Sequence, residues 1–157
     1  MTEEIAIGHL QKRQIEAGVL IPFITACREK FGDGPTSELV AATIRAQAAE
    51  EGAKWAMSFG SDMAGLRALA ETVWAGGGGL EIQVLDQTAD RLAFDVTLCR
   101  YAEFYKELCV EDLGSLIHCS RYHAMVAGFY DGLELTRSQT IMAGGSCCDF
   151  RFRRKTQ

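Results

Sequence analysis

Arg137, Cys147, Cys148 and Asp149 bring a guanidinium, two thiols and a carboxylate together in one short span of this 157-residue chain. Two runs suited to strands, 133–142 and 146–153, flank the small-residue turn Gly144-Gly145. Strand alternation puts Leu133, Leu135 and Ile141 on one face with Arg137 and Gln139. In the second run Cys148, Phe150 and Phe152 share a face, while Cys147, Asp149 and Arg151 take the other. With the apolar faces turned toward a helical layer, Arg137 points inward beside Cys148. An inward guanidinium must be paired, because burying a lone charge is prohibitive. Two partners are open. One is an acid of the chain itself; the other is the carboxylate of a substrate, which the planar fork of Arg suits well.

A second constellation is His118-Cys119-Ser120-Arg121-Tyr122-His123. Cys119 and His123 stand at i and i+4, one above the other on a helix. That spacing suits a thiol activated by an imidazole, two ligands of a soft metal, or simply a buried thiol with a histidine at the helix edge. Cys99 lies at a strand-to-helix junction, where helix-terminal amides can lower a thiol pKa. Cys27 falls on an apolar helix face and is expected in the core, and Cys109 shows no partner. Vicinal Cys147 and Cys148 point to opposite sides of a strand, which argues against a disulfide between them. No Cys-x-x-Cys or His-Glu-x-x-His spacing, dinucleotide fingerprint or Ser-His-Asp order occurs, so no metal and no cofactor is expected.

The elements that must position these residues follow from periodicity. Residues 4–31 have a helical pattern through Ile5, Leu10, Ile15, Val19, Phe23 and Cys27, with Pro22 predicting a kink or break. A second helix spans 36–57, its apolar face running through Leu39, Val40, Thr43, Ile44, Ala48 and Trp55. Ser61 is the expected cap of a third over 62–75, stopped by Gly76-Gly77-Gly78-Gly79, a hinge between halves. Beyond it the period changes to two. Leu80, Ile82 and Val84, then Leu92, Phe94, Val96 and Leu98, alternate with polar residues across a connection at Asp86–Asp90, as in an antiparallel hairpin. Helical pattern returns from 101 to about 128, as a short helix and then a longer one from near Val110–Leu113. The expected architecture is α+β: one domain over 1–157, with a helical half (1–75) and a β-β-α-β-β half (80–153) carrying an antiparallel sheet.

Composition bounds the function. The net charge of -5 argues against a nucleic-acid binder, and only the tail Arg151–Lys155 is basic. No apolar stretch approaches the ~20 residues of a membrane span, and the acidic Met1-Thr2-Glu3-Glu4 does not resemble a signal peptide. Six cysteines without an export signal point to a cytoplasmic protein with free thiols. Helix faces rich in Ala and Leu permit a homo-oligomer.

The segment Thr136-Arg137-Ser138-Gln139-Thr140-Ile141-Met142-Ala143-Gly144 through Cys148-Asp149-Phe150-Arg151-Phe152 resembles the closing signature of the L-2-amino-thiazoline-4-carboxylic acid hydrolase family. Cys99, the run Tyr101–Leu108, Cys119 and the opening Lys12-Arg13-Gln14-Ile15-Glu16-Ala17 also resemble it. The resemblance implies an α+β fold akin to vinyl-reductase-type and TRAPP-type ligand-binding domains. It also implies ring-opening hydrolysis of a small heterocycle bearing a carboxylate; the namesake reaction yields N-carbamoyl-L-cysteine. Where the family leads one to expect an aspartate, three residues after the helix cysteine, this chain has Tyr122. On this basis Cys119 and Cys148 are the expected nucleophiles or polarising groups, His123 the proton carrier and Asp149 the orienting acid. Arg137, Thr140, Cys99 and Tyr122 are the expected substrate contacts. The alternative is a non-catalytic sensor or carrier of a small ligand on the same fold. A structural zinc domain is a third possibility.

Overall fold

The computed structural model describes residues 6–156, and the expected helix positions 4 and 5 lie outside them. Three helices come first: α1 (His9–Phe31), α2 (Asp33–Phe59) and α3 (Met63–Leu69). α1 runs unbroken through Pro22. The hydrogen bond that proline removes is one to the Gly18 carbonyl, and both residues lie on the exposed side, where water can take its place. The face expected to point inward does not. Ile15, Val19 and Phe23 face solvent, while Arg13, Ala17 and Ile24 are buried. On α2 likewise Ile44 and Ala48 are buried but Leu39 is exposed. α1 is apolar on both sides, so periodicity alone had no contrast with which to choose between them.

Asp62, not Ser61, caps α3, its Oδ1 accepting the Gly65 N–H at 2.7 Å. The helix then widens into a π-helical turn over Ala70–Trp74 and a tight turn over Gly76–Gly78, where Gly77 and Gly78 have φ of 63° and 77°. Those angles favour glycine. The turn is bonded at both ends: Gly79 O accepts Arg100 N–H at 2.9 Å, and the Tyr101 hydroxyl donates to Trp74 O at 3.0 Å.

Strands β1 (Leu80–Gln87) and β2 (Arg91–Cys99) form the expected hairpin, with the Thr88 hydroxyl accepting from the Asp90 and Arg91 amides in its turn. Next come α4 (Arg100–Glu107), α5 (Glu111–Gly114), a second π-helical turn over Ser115–Cys119, and α6 (Arg121–Phe129). β3 (Leu133–Thr136) and β4 (Cys148–Arg154) complete an antiparallel sheet of order β1-β2-β4-β3. β3 is shorter than the 133–142 expected. Past Thr136 the Ser138 and Gln139 amides bond the Asp149 side chain, so they are lost to the ladder.

The fold is thus α+β, helices against one face of an antiparallel sheet. Leu92, Phe94, Val96, Cys148, Phe150 and Phe152 form the covered face. The other carries polar pairs such as Arg151–Asp95 and Arg153–Glu134, both at 2.8 Å. Among the described residues no helix is long and apolar enough to cross a membrane.

Candidate functional site

Arg137 follows the end of β3 and turns toward the helices, as alternation predicted. Its Nη2 donates to the Cys119 carbonyl at 2.9 Å. The guanidinium carbon lies 5.1 Å from the Phe150 ring centre and 5.5 Å from that of Tyr122, within cation–π reach of both. Among the described residues no carboxylate comes within 4.0 Å of it, so none of them supplies the ion pair. This half-buried cation rests on one carbonyl and two aromatic faces.

Cys119 and Cys148 lie close enough to feel its charge, and Cys99, from a third element, lies near them. Cys99 caps α4, its Sγ accepting the Ala102 N–H at 3.4 Å. Cys148, which pairs with Val96 where β4 begins, accepts the Ile141 N–H at 3.2 Å. Cys119 closes the second π-helical turn. Burial pushes the Cys119 thiol up to about 12 against the opposing pull of Arg137, and the other two thiols are close enough to add to the rise. Burial likewise takes Cys99 to about 11, the Ala102 amide opposing it, and raises Cys148. All three are therefore protonated near neutral pH.

Beneath Arg137 runs an aromatic column. His118 stacks on Tyr101 with centroids 4.3 Å apart, and its Nε2 is 3.2 Å from the Tyr122 hydroxyl. Tyr122 meets Trp74 edge-on at 5.0 Å and Phe150 at 5.1 Å. Burial holds the His118 imidazole well below its ordinary value, helped by the positive charges of Arg13 and Arg121. It raises Tyr122 well above its own, with the neighbouring thiol Cys99 next in effect. Both are neutral across the physiological range.

His118 had no role in the sequence reading, yet its signal was there. The i, i+4 pair that forms is His118 with Tyr122, one residue out of phase with the expected Cys119 and His123. The π-helical turn ends between those two residues, and no hydrogen bond joins them. His123 is exposed on α6, its imidazole lowered by partial burial and by the charge of Arg137.

Asp149 stands on the opposite side of β4 from Cys148. Its carboxylate takes hydrogen bonds from the Ser138 amide and hydroxyl at 2.9 and 2.5 Å and from the Gln139 amide at 2.9 Å. Partial burial pushes it up, but these bonds outweigh that and hold it below the usual carboxylate range. Thr140 accepts the Ala143 N–H at 3.2 Å and so caps the turn over Ile141–Ala143. Asp149 and Thr140 thereby fix the segment that carries Arg137. Cys99, Cys119, Cys148, Tyr122 and Arg137 come together; His123 lies at the edge, Asp149 and Thr140 outside. Among the described residues no three His, Cys, Asp or Glu side chains converge as a metal site.

A separate polar group braces the helices behind the column. Arg13 Nη2 contacts both Glu51 oxygens, at 2.8 and 2.7 Å, and Arg121 Nη2 reaches Glu51 at 3.1 Å. Nothing in the local sequence signalled this triad, whose members come from three helices.

Residues 12–152 match the family described as L-2-amino-thiazoline-4-carboxylic acid hydrolase. No curated protein matches the sequence. A solved structure of similar fold is a trafficking protein particle complex subunit 3 from Naegleria fowleri, covalently bound to palmitic acid. It is 10% identical, with a TM-score of 0.57 over 90% of this chain and 94% of that one, a likeness of fold alone.

Proposed function

Since the chain belongs to the L-2-amino-thiazoline-4-carboxylic acid hydrolase family, we propose that it opens a small carboxylate-bearing ring by adding water across a C–S or C–N bond. The observation that carries the reading is Arg137, a half-buried guanidinium that meets no carboxylate among the described residues and lies near the Cys119 and Cys148 thiols. A substrate carboxylate supplies the missing anion in bidentate geometry. That anchor sets the ring against Cys119 and Cys148. In the aminothiazoline case, the carbon between the ring nitrogen and sulfur gains the oxygen of water. The C–S bond breaks, and of the two protons of water one goes to the departing sulfur, which leaves as a thiol, and the other to the ring nitrogen.

Cys119 or Cys148 either attacks that carbon, displacing the ring sulfur and being displaced in turn by water, or polarises it as a neutral donor. His118, kept neutral by burial, holds the Tyr122 hydroxyl through its Nε2, and His123 at the edge of the cluster moves the protons. Tyr122 stands where the family acid is expected, so the substrate departs from the namesake in the group facing that position. A cytoplasmic setting, which keeps thiols reduced, suits this chemistry.

The second reading is a non-catalytic carrier of the same anionic ligand. The high thiol pKa values favour it, because a protonated thiol is a poor nucleophile. Mass spectrometry after incubation with aminothiazoline carboxylate, hydantoins, lactams and thiohydantoins separates the two. A product heavier by one water is expected. Intact ligand retained without product would instead establish the carrier.

A further inference from the structure

Helix α1 is apolar on both sides, and only one side is covered. Ile15, Val19 and Phe23, four residues apart, are 56, 70 and 65% exposed. Pro22 and Ala26, also exposed, fall on the same side by helical periodicity and complete an uncharged stripe. Phe31 and, on α2, Leu39 extend it at 62 and 70% exposure. Surface helices normally carry one apolar stripe, turned inward. An exposed patch of this extent marks a contact surface. Beside it the two helices enclose a groove of about 550 Å³, walled by Leu20, Phe23, Val40 and their neighbours. It offers little for a polar ligand. The Thr43 hydroxyl is turned to the Leu39 carbonyl at 2.9 Å, and the Thr36 hydroxyl is buried.

We propose that this face binds a second copy of the chain, α1–α2 hairpin on α1–α2 hairpin about a twofold axis. Area is the first argument. The five large exposed side chains present on the order of 600–700 Å² of apolar surface, against the ~800 Å² each partner gives to a standard interface. Shape is the second. A twofold contact must be complementary to itself. Here Phe23 and Leu39 project from the lips of an apolar recess on the same face, so each copy offers both knob and hole. A small apolar ligand fits less well. Pockets enclose most of a ligand's surface, whereas Phe23, Phe31 and Leu39, three of the walls, are themselves mostly in water.

Sedimentation velocity of the full chain at micromolar concentration tests this. Twice the monomer mass is expected for the wild type. Phe23→Glu and Val19→Lys, both at exposed positions, are expected to sediment as monomers with unchanged circular dichroism. A monomeric wild type, with or without a co-purified apolar ligand, overturns the proposal. So do open-ended larger species, or a dimer that survives both substitutions. Loss of folding in both variants overturns it as well, by making the face part of the monomer's own core.

Discussion

At the scale of single residues, Arg137 is held by weak neutral partners, and that is what makes it available to an anion. Arg137→Ala is expected to raise KM for an anionic substrate about 10- to 150-fold, matching the ~1.5–3 kcal/mol of a hydrogen bond to a charged group. Arg137→Lys should recover only part of this, because an ammonium lacks the fork. An unchanged KM in both variants removes Arg137 from the site. The thiols make a second prediction. A group at about 12 is ionised only to about one part in 10⁵ at pH 7. If a Cys119 thiolate attacks, kcat/KM should climb close to tenfold per pH unit between about 7 and 10, and Cys119→Ser should be inactive. A flat profile with an active serine variant assigns the attack to water and leaves the thiol as packing near Arg137.

At the scale of elements, the site depends on how closely α2 and α6 approach. A Cβ at Gly128 would lie 2.0 Å from the Ala49 carbonyl oxygen, and one at Gly52 would lie 2.0 Å from that of Met125. Both obstacles are backbone and cannot swing aside. Alanine in a free helix gains up to ~1 kcal/mol over glycine, yet Gly128→Ala and Gly52→Ala are each expected to lose about 1–3 kcal/mol here. Urea unfolding reads the sign directly, and a neutral or stabilising result would contradict the crossing. The Arg13–Glu51–Arg121 triad joins α1, α2 and α6. Burial pushes the Glu51 carboxyl up, but the two guanidinium groups outweigh it and keep it ionised. Glu51→Ala strands the buried Arg121 and leaves Arg13 with Glu16 alone, at 2.8 Å, for an expected loss of about 3–5 kcal/mol in the same assay.

At the scale of the whole molecule, buried imidazoles couple stability to pH. Burial holds His118 well below 6.5 and His9 at about 4, with Arg13 reinforcing both. Well above pH 6.5 neither binds a proton in either state. As pH falls below 6.5 the unfolded chain takes up protons that the native one refuses, so stability is lost. His118 alone contributes up to about 1.4 kcal/mol per pH unit. Glu51 and Asp149, held low, add their losses only near and below the usual carboxylate range. Urea midpoints should therefore drop between pH 6.5 and 5, and His118→Gln should flatten the decline. An undiminished slope in that variant would place the coupling elsewhere.

What the sequence by itself determined is what local repetition encodes. The change of period at residue 80, the hairpin, the inward turn of Arg137 and the opposite faces of Cys148 and Asp149 were all legible, because strand alternation is set by backbone geometry. The family signature over 99–152 was legible for a different reason, as a pattern of types at fixed positions. Only tertiary structure decided the rest. Which side of α1 is buried required knowing what packs on it, since both sides are apolar. The pairing of His118 with Tyr122, in place of Cys119 with His123, depended on a π-helical turn that shifts the helix phase without a composition of its own. Asp149 became an anchor when the Ser138 and Gln139 amides, cut off from the ladder, needed an acceptor. The high thiol pKa values come from burial, which depends on every neighbour at once and on no single residue's type.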